Sequence, residues 1–268
     1  MRWTPGGESS DIEDRRGGGG FGFGGMPIGI GGAIVLLVLS LIFGKNFFAI
    51  FESAPSATTE SRPVEQTPEE SREVQFVSFV LDDAQATWER ILGDRYRHAK
   101  LVLFRDATSS GCGFAQSASG PFYCPVDEKV YVDLAFFDEM RDRFAATGDF
   151  AQAYVITHEI GHHVQKLLGI VRRSRADSVA LELQADCFAG IWGHSTAQRN
   201  ILESGDIEEG LNAAASVGDD RMQRMAGKRV NPDSFTHGSS RQRAMWFRRG
   251  LESGRIEDCD TFGAQVRD

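Results

Sequence analysis

Between Gly17 and Gly44 the chain runs for 28 consecutive residues without a charge. The first part, GGGGFGFGG, is too glycine-rich to fold by itself. The second, Met26 to Phe43, is apolar all round. At 1.5 Å per residue its 18 residues nearly cross the ~30 Å hydrocarbon core, and snorkelling of Lys45 lets NFFAIF extend the span. A buried soluble helix would carry a polar stripe. A cleaved signal peptide needs a small-x-small site just after the apolar run, where Gly-Lys-Asn-Phe-Phe stands instead. The expectation is a Gly-rich N-terminal tail over 1–25 and one transmembrane helix over 26–48, which makes the lipid bilayer a partner. Arg2, Arg15 and Arg16 precede the span, while Lys45 and Arg62 follow it. The positive-inside rule then puts the N-terminus in the cytoplasm and the body of the protein outside the cell membrane, in the periplasm.

Residues 52–73, ESAPSATTESRPVEQTPEESRE, have no large apolar side chain beyond Val64. Such a segment cannot bury enough surface to order itself, so 49–73 reads as a flexible linker. That leaves residues 74–268 as one domain, ample for a core. The formal net charge of −9 argues against nucleic acid as a partner, which requires clustered Lys and Arg. All four cysteines lie in this domain, and an even count outside the cytoplasm suggests disulfides, with three pairings open. Cys112 and Cys124 flank a Gly/Ser-rich loop and make a natural local bridge. That leaves Cys187 with Cys259.

Within the domain, residues 73–92 have apolar positions at helical spacing. KLVLF (100–104) and KVYVDL (129–134) read as strands, and 136–144 as a short helix. Phe150 to Leu168 is a stronger helix, with Ile156, Ile160, Val164 and Leu167 on one stripe, Asp149 as its cap and Gly169 as its stop. A further helix runs from about Ala176 to Trp192, with Ser174 and Asp177 at its start and Gly193 at its end. The segments after Ile207 and after Ser239 are also helical. The fold class is α+β, mainly helical, with a small sheet before the first strong helix.

That helix carries His158-Glu159-Ile160-Gly161-His162. Residues i and i+4 share a helical face, so both imidazoles can meet one ion. A catalytic zinc needs three protein ligands and an open position for water. Glu159, beside the first ligand, is placed to take a proton from that water and pass it to the leaving amine. Gly161 weakens the helix and so implies a close approach by a strand or by substrate. A third histidine at the spacing H-x-x-G-x-x-H is excluded by Gln165 and Leu168. The next helix offers Glu182 and Asp186, again i and i+4. On a largely apolar helix buried carboxylates need partners, so Glu182 suits the third ligand and Asp186 the acceptor for a ligand histidine's N–H. Glu208 and Glu209 are the fallback. His163, His98 and His194 read as non-ligands.

HEIGHH followed by ELQADCFAG resembles the gluzincin type of zinc metallopeptidase. More narrowly, MRWTPGGESSDIEDRRG, SGPFYCPVDEKVYVDL, FTHGSSRQR and EDCDTF resemble the bacterial "putative neutral zinc metallopeptidase" family over nearly the whole chain. The resemblance implies a zincin-like fold, Zn2+ as cofactor, a peptide or protein substrate, His158, His162 and Glu182 as ligands, and Glu159 as general base. By similarity with gluzincins, the sheet should present an edge strand to substrate, with KVYVDL the candidate. FTHGSSRQR resembles a distal segment of some membrane metallopeptidases in which a His and an Arg face the site. His237 and Arg243 are therefore candidates to stabilise the tetrahedral oxyanion. The sequence thus reads as a membrane-tethered zinc peptidase. The alternatives are a non-catalytic binding module on the same fold, or a zinc hydrolase of another amide.

Overall fold

The computed structural model describes residues 1–17, 66–116, 120–144, 148–170 and 176–263. The expected membrane span (26–48), linker residues 49–65 and the capping residue Ser174 lie outside these. Among the described residues no helix is long and apolar enough to cross a membrane.

Helix α1 (Pro68–Leu92) starts where its sequence says a helix should. Thr67 accepts the Glu70 N–H at 3.1 Å, Pro68 sits in the first turn, and Glu69 and Glu70 meet the positive end of the dipole. It therefore begins inside the segment expected to be linker, because cap chemistry overrides the lack of apolar residues there. Val77, Val80, Leu81, Ala84 and Trp88 form its fully buried face.

The first residues are also structured. β1 (Ile12–Asp14) pairs in parallel with β2 (Lys100–Phe104), with Ile12 opposite Leu101. Met1–Arg15 and the described chain from Gln66 onward form one compact unit. Asp11 accepts from Lys100 Nζ at 2.7 Å and Gln85 Nε2 at 2.8 Å, and its Oδ2 lies 2.5 Å from His98 Nδ1. The terminal amine lies 3.2 Å from Asp206 Oδ1. Residues 1–15 are thus part of the domain rather than a tail; their polar side chains find long-range partners that the sequence does not reveal. This is at odds with the expected orientation, because a single crossing at 26–48 would part β1 from β2.

The hairpin β3 (Ala107–Ser110) and β4 (Gly113–Gln116) follows, then β5 (Phe122–Cys124) and β6 (Lys129–Asp133). The four-stranded sheet has the order β1-β2-β6-β5; β1, β2 and β6 are parallel, and β5 is antiparallel to β6. KVYVDL is therefore an inner strand, and the edge expected there is β5 instead. The burial of β6 on both faces explains its run of β-branched and aromatic residues. Alternation sends Leu101, Leu103, Val130 and Val132 into the main core with α1, and Val102, Phe104 and Tyr131 into a smaller cluster on the other face.

The helices α2 (Ala135–Phe144), α3 (Asp149–Leu167), α4 (Ala176–Gln198), α5 (Asp206–Ser216), α6 (Asp219–Met225) and α7 (Ser240–Ser253) complete a mixed α+β fold consistent with a zincin-like domain. α3 ends as expected: Gly169 takes φ 73° and the Ile170 N–H returns to the Gln165 carbonyl. α4 runs past Gly193 to Gln198, and Asn200 just beyond it is left-handed. Its glycines serve packing, not termination. A Cβ on Gly190 would lie 2.1 Å from the Phe247 carbonyl oxygen of α7, and one on Gly250 1.9 Å from the Cys187 carbonyl oxygen. Both expected disulfides form, Cys112–Cys124 and Cys187–Cys259.

Candidate metal centre

α3 is positioned from both ends and from behind. Its N-terminal residue Gly148 has no capping side chain, and Asp149 is already helical. Glu209 supplies the negative charge instead, with its carboxylate against Gly148 and the Phe150 N–H. That removes Glu209 from the ligand candidates, and Glu208 is solvent-exposed on α5. Ile156, Ile160 and Val164 are fully buried and fix the helix against the core. On the opposite side Gly161 meets α4: a Cβ there would lie 2.9 Å from the Ala185 carbonyl oxygen. The close approach inferred from Gly161 is therefore made by the helix carrying Glu182 and Asp186.

His158, His162 and Glu182 converge, their donor atoms within 4.8 Å of one another, the one such group among the described residues. His158 Nε2 lies 3.3 Å from Glu182 Oε2, and His162 Nε2 lies 3.5 Å from Glu182 Oε1. Ligands about 2.1 Å from a tetrahedral zinc sit roughly 3.4 Å apart, so the donor set fits that ion. Each Nδ1 is already engaged, which turns each Nε2 inward. His158 Nδ1 lies 2.9 Å from Asp186 Oδ1, as expected, and His162 Nδ1 lies 2.9 Å from Gln165 Oε1.

Without metal these groups form a charged cluster. Burial pushes His158 down, yet Asp186 and Glu182 outweigh it and lift its pKa to about 9. Burial acts to raise Glu182 and is overcome by the two imidazoles, which hold it well below the usual carboxylate range. Glu159 goes the other way: burial raises it, against the opposing pull of His158 and His162. It is 8% exposed.

Arg243 borders the same cavity, but its guanidinium lies behind His158. Its Nε lies 2.8 Å and its Nη2 2.9 Å from the two Asp186 oxygens, and Nη2 lies 3.2 Å from Tyr154 Oη. It is 4% exposed, its main partner is the fully buried Asp186, and its Nη2 also lies 3.9 Å from Glu182 Oε2. His237 lies on the cavity wall. Asp219 Oδ2 accepts the backbone N–H groups of Thr236, His237 and Gly238, and Thr236 Oγ1 lies 2.9 Å from His237 Nδ1. Among the described residues the side-chain contacts of His237 are at Nδ1, which also lies 3.3 Å from Asp219 Oδ1.

The remaining histidines stand elsewhere, as expected. His98 pairs with Asp11 and Glu89, His194 with the Leu251 carbonyl, and His163 is buried away from the ligand face. Tyr154 and Gln165 are supports that sequence reasoning missed. Tyr154 Oη donates to Asp186 Oδ1 at 2.5 Å, and Gln165 Nε2 donates to the Leu181 carbonyl at 2.7 Å while its oxygen holds His162. Their spacing was the available signal: Tyr154 is four residues before His158, and Gln165 three after His162.

The centre opens on a cavity of about 1020 Å³ whose walls include Phe122, Tyr123, Val155, Leu181 and Met222. Two ring nitrogens, a carboxylate, a buried neighbouring glutamate and an open apolar cleft suit metal-assisted hydrolysis.

The chain is 46% identical to "Uncharacterized protein YpfJ" of Escherichia coli (strain K12), across 99% of this chain and 100% of that protein. It is 41% identical to "Uncharacterized protein Mb2605" of Mycobacterium bovis, across 68% of each. No solved structure matches. The model of the family described as "putative neutral zinc metallopeptidase" matches residues 1–262, and the chain belongs to that family.

Proposed function

We propose that this protein is a membrane-tethered zinc peptidase that hydrolyses peptide bonds, with Glu159 as general base. The observation that carries the reading is the convergence of His158, His162 and Glu182 beside Glu159 at an open cleft. Zinc held by these three residues would supply Lewis acidity and lower the pKa of water. Glu159 would take the proton of the attacking water and deliver it to the leaving amine nitrogen; its burial, which raises its pKa, favours taking up that proton. Asp186 would fix the His158 tautomer, with Arg243 and Tyr154 holding Asp186. His237 Nε2 would meet the oxyanion. An extended substrate would lie along the edge strand β5.

For location, the reading is an extracytoplasmic domain, supported by two disulfides. The apolar run at 26–48 would supply the membrane contact, with residues 1–15 on the same side as the domain.

The test is zinc-loaded protein against a diverse peptide library, with Glu159→Gln as control. About one zinc per chain, chelator-sensitive cleavage and loss of turnover in Glu159→Gln with zinc retained are expected. Retained cleavage in that variant sinks the mechanism. Cleavage of non-peptide amides alone would make the protein a zinc hydrolase of another amide, and no hydrolysis at all a binding module.

A further inference from the structure

β5 is three residues long and hydrogen-bonded on one side only, to β6. So short an edge strand holds its position poorly by ladder bonds alone. Each of its residues is fastened separately. The Phe122 ring stacks on Tyr131, with centroids 4.9 Å apart and planes 6° from parallel. Cys124 is bridged to Cys112. Tyr123 points to the opposite face, toward α3, where its Oη lies 3.0 Å from His163 Nδ1.

The donor direction in that contact is fixed by its neighbour. His163 Nε2 lies 2.7 Å from the Arg97 carbonyl oxygen, which can only accept, so Nε2 carries the proton. In the neutral ring Nδ1 is then an acceptor, and the Tyr123 hydroxyl donates to it. His163 is fully buried, with Tyr96 and Tyr123 edge-on to its ring. It follows His162 directly in the chain, and the Tyr123 backbone N–H lies near the Glu159 carboxylate and favours its charged form. One turn on from His163, Lys166 reaches the Pro125 carbonyl and Glu128. The strand bordering the cleft and the helix bearing the metal ligands are thus strapped together beside the centre.

We propose that Tyr123 and His163 are positioning residues: their hydrogen bond sets the distance and tilt of β5 relative to Glu159 and the metal ligands, so that a strand-paired substrate is presented in line. The reading rests on the peptidase assignment for its catalytic consequence, but not for the strap itself. Reactions of this kind lose about 100-fold for a misplacement of ~1 Å.

The test is Tyr123→Phe, which removes one oxygen and keeps the ring, in zinc-loaded full-length protein. Amide exchange over 122–124 is expected to quicken about tenfold, with zinc content and exchange elsewhere unchanged. kcat/KM on extended peptides is expected to fall about tenfold or more, and less on dipeptide amides too short to pair with β5. With Tyr123 unaltered, His163→Asn, which keeps an acceptor near the Nδ1 position, should retain slow exchange and most of the activity; His163→Leu should lose both. Unchanged exchange over 122–124 in Tyr123→Phe overturns the strap. Quickened exchange with unchanged kcat/KM overturns its role in catalysis. Absence of any cleavage by the unaltered protein sinks the peptidase assignment instead, because the exchange comparison is made without substrate.

Discussion

Replacing Arg243 by Met separates two roles for a cation at the centre. The guanidinium is buried, with its Nε and Nη2 on both oxygens of a fully buried Asp186. Removing one partner of such a pair costs about 3–5 kcal/mol, because the other charge is left uncompensated. In the metal-free protein His158, with its pKa lifted to about 9, already carries a proton beside Asp186, so that carboxylate keeps one cationic partner and the lower end of that range is expected. At roughly 2–4 °C per kcal/mol for a domain of this size, Tm should fall by about 6–12 °C in chelator. Zinc affinity should fall about 10–100-fold through the loosened His158. An oxyanion stabiliser behaves differently: turnover would drop about 10²–10³-fold with stability and zinc binding intact. The assays are thermal unfolding in chelator, zinc titration and turnover at saturating zinc. Intact Tm and zinc affinity with collapsed turnover would falsify the ion-pair assignment.

Other consequences follow from named contacts. Gly161→Ala gains about 1 kcal/mol of helix propensity, yet places a methyl 2.9 Å from a backbone oxygen of α4; a net loss of about 1–3 kcal/mol and weaker zinc binding are expected, and a raised Tm with unchanged zinc affinity contradicts this. Burial pushes His98 down, but Asp11 and Glu89 outweigh it and raise its pKa above 6.5. Its contribution to stability is therefore full below about pH 6.5 and fades as pH rises through the higher folded value. The Tm gap between the unaltered protein and His98→Gln should be widest at low pH and close with alkalinity, and a gap that widens refutes the sign. The bridge Cys187–Cys259 closes 72 residues against 12 for Cys112–Cys124. Opening the longer loop should cost about 4 kcal/mol against about 3, as measured by denaturant unfolding of the paired Ser variants.

The centre was legible because its geometry is helical and local. His158 and His162 are one turn apart, and so are Glu182 and Asp186; each pair needs only its own helix to be aligned. Gly161 even announced the crossing that brings the two helices together, though not which partner approaches. What stayed hidden depends on long-range pairing. Nothing in KVYVDL distinguishes an inner from an edge strand, since that is decided by Phe122–Cys124 folding back beside it. Ile12–Asp14 carries one apolar residue in three, and its strand character comes from β2, some 90 positions later. Arg243 was recognised as belonging to the site, but whether it faces substrate or Asp186 is a matter of burial, which local sequence does not encode.

The position of β1 also sets an order of events. Ile12 is synthesised well before its partner Leu101, which lies about 90 residues further along the chain. β1 must therefore wait until β2 has been synthesised, and its docking closes the open parallel edge of that strand. Non-local closures of this kind are slow and leave a sheet edge exposed in the interval.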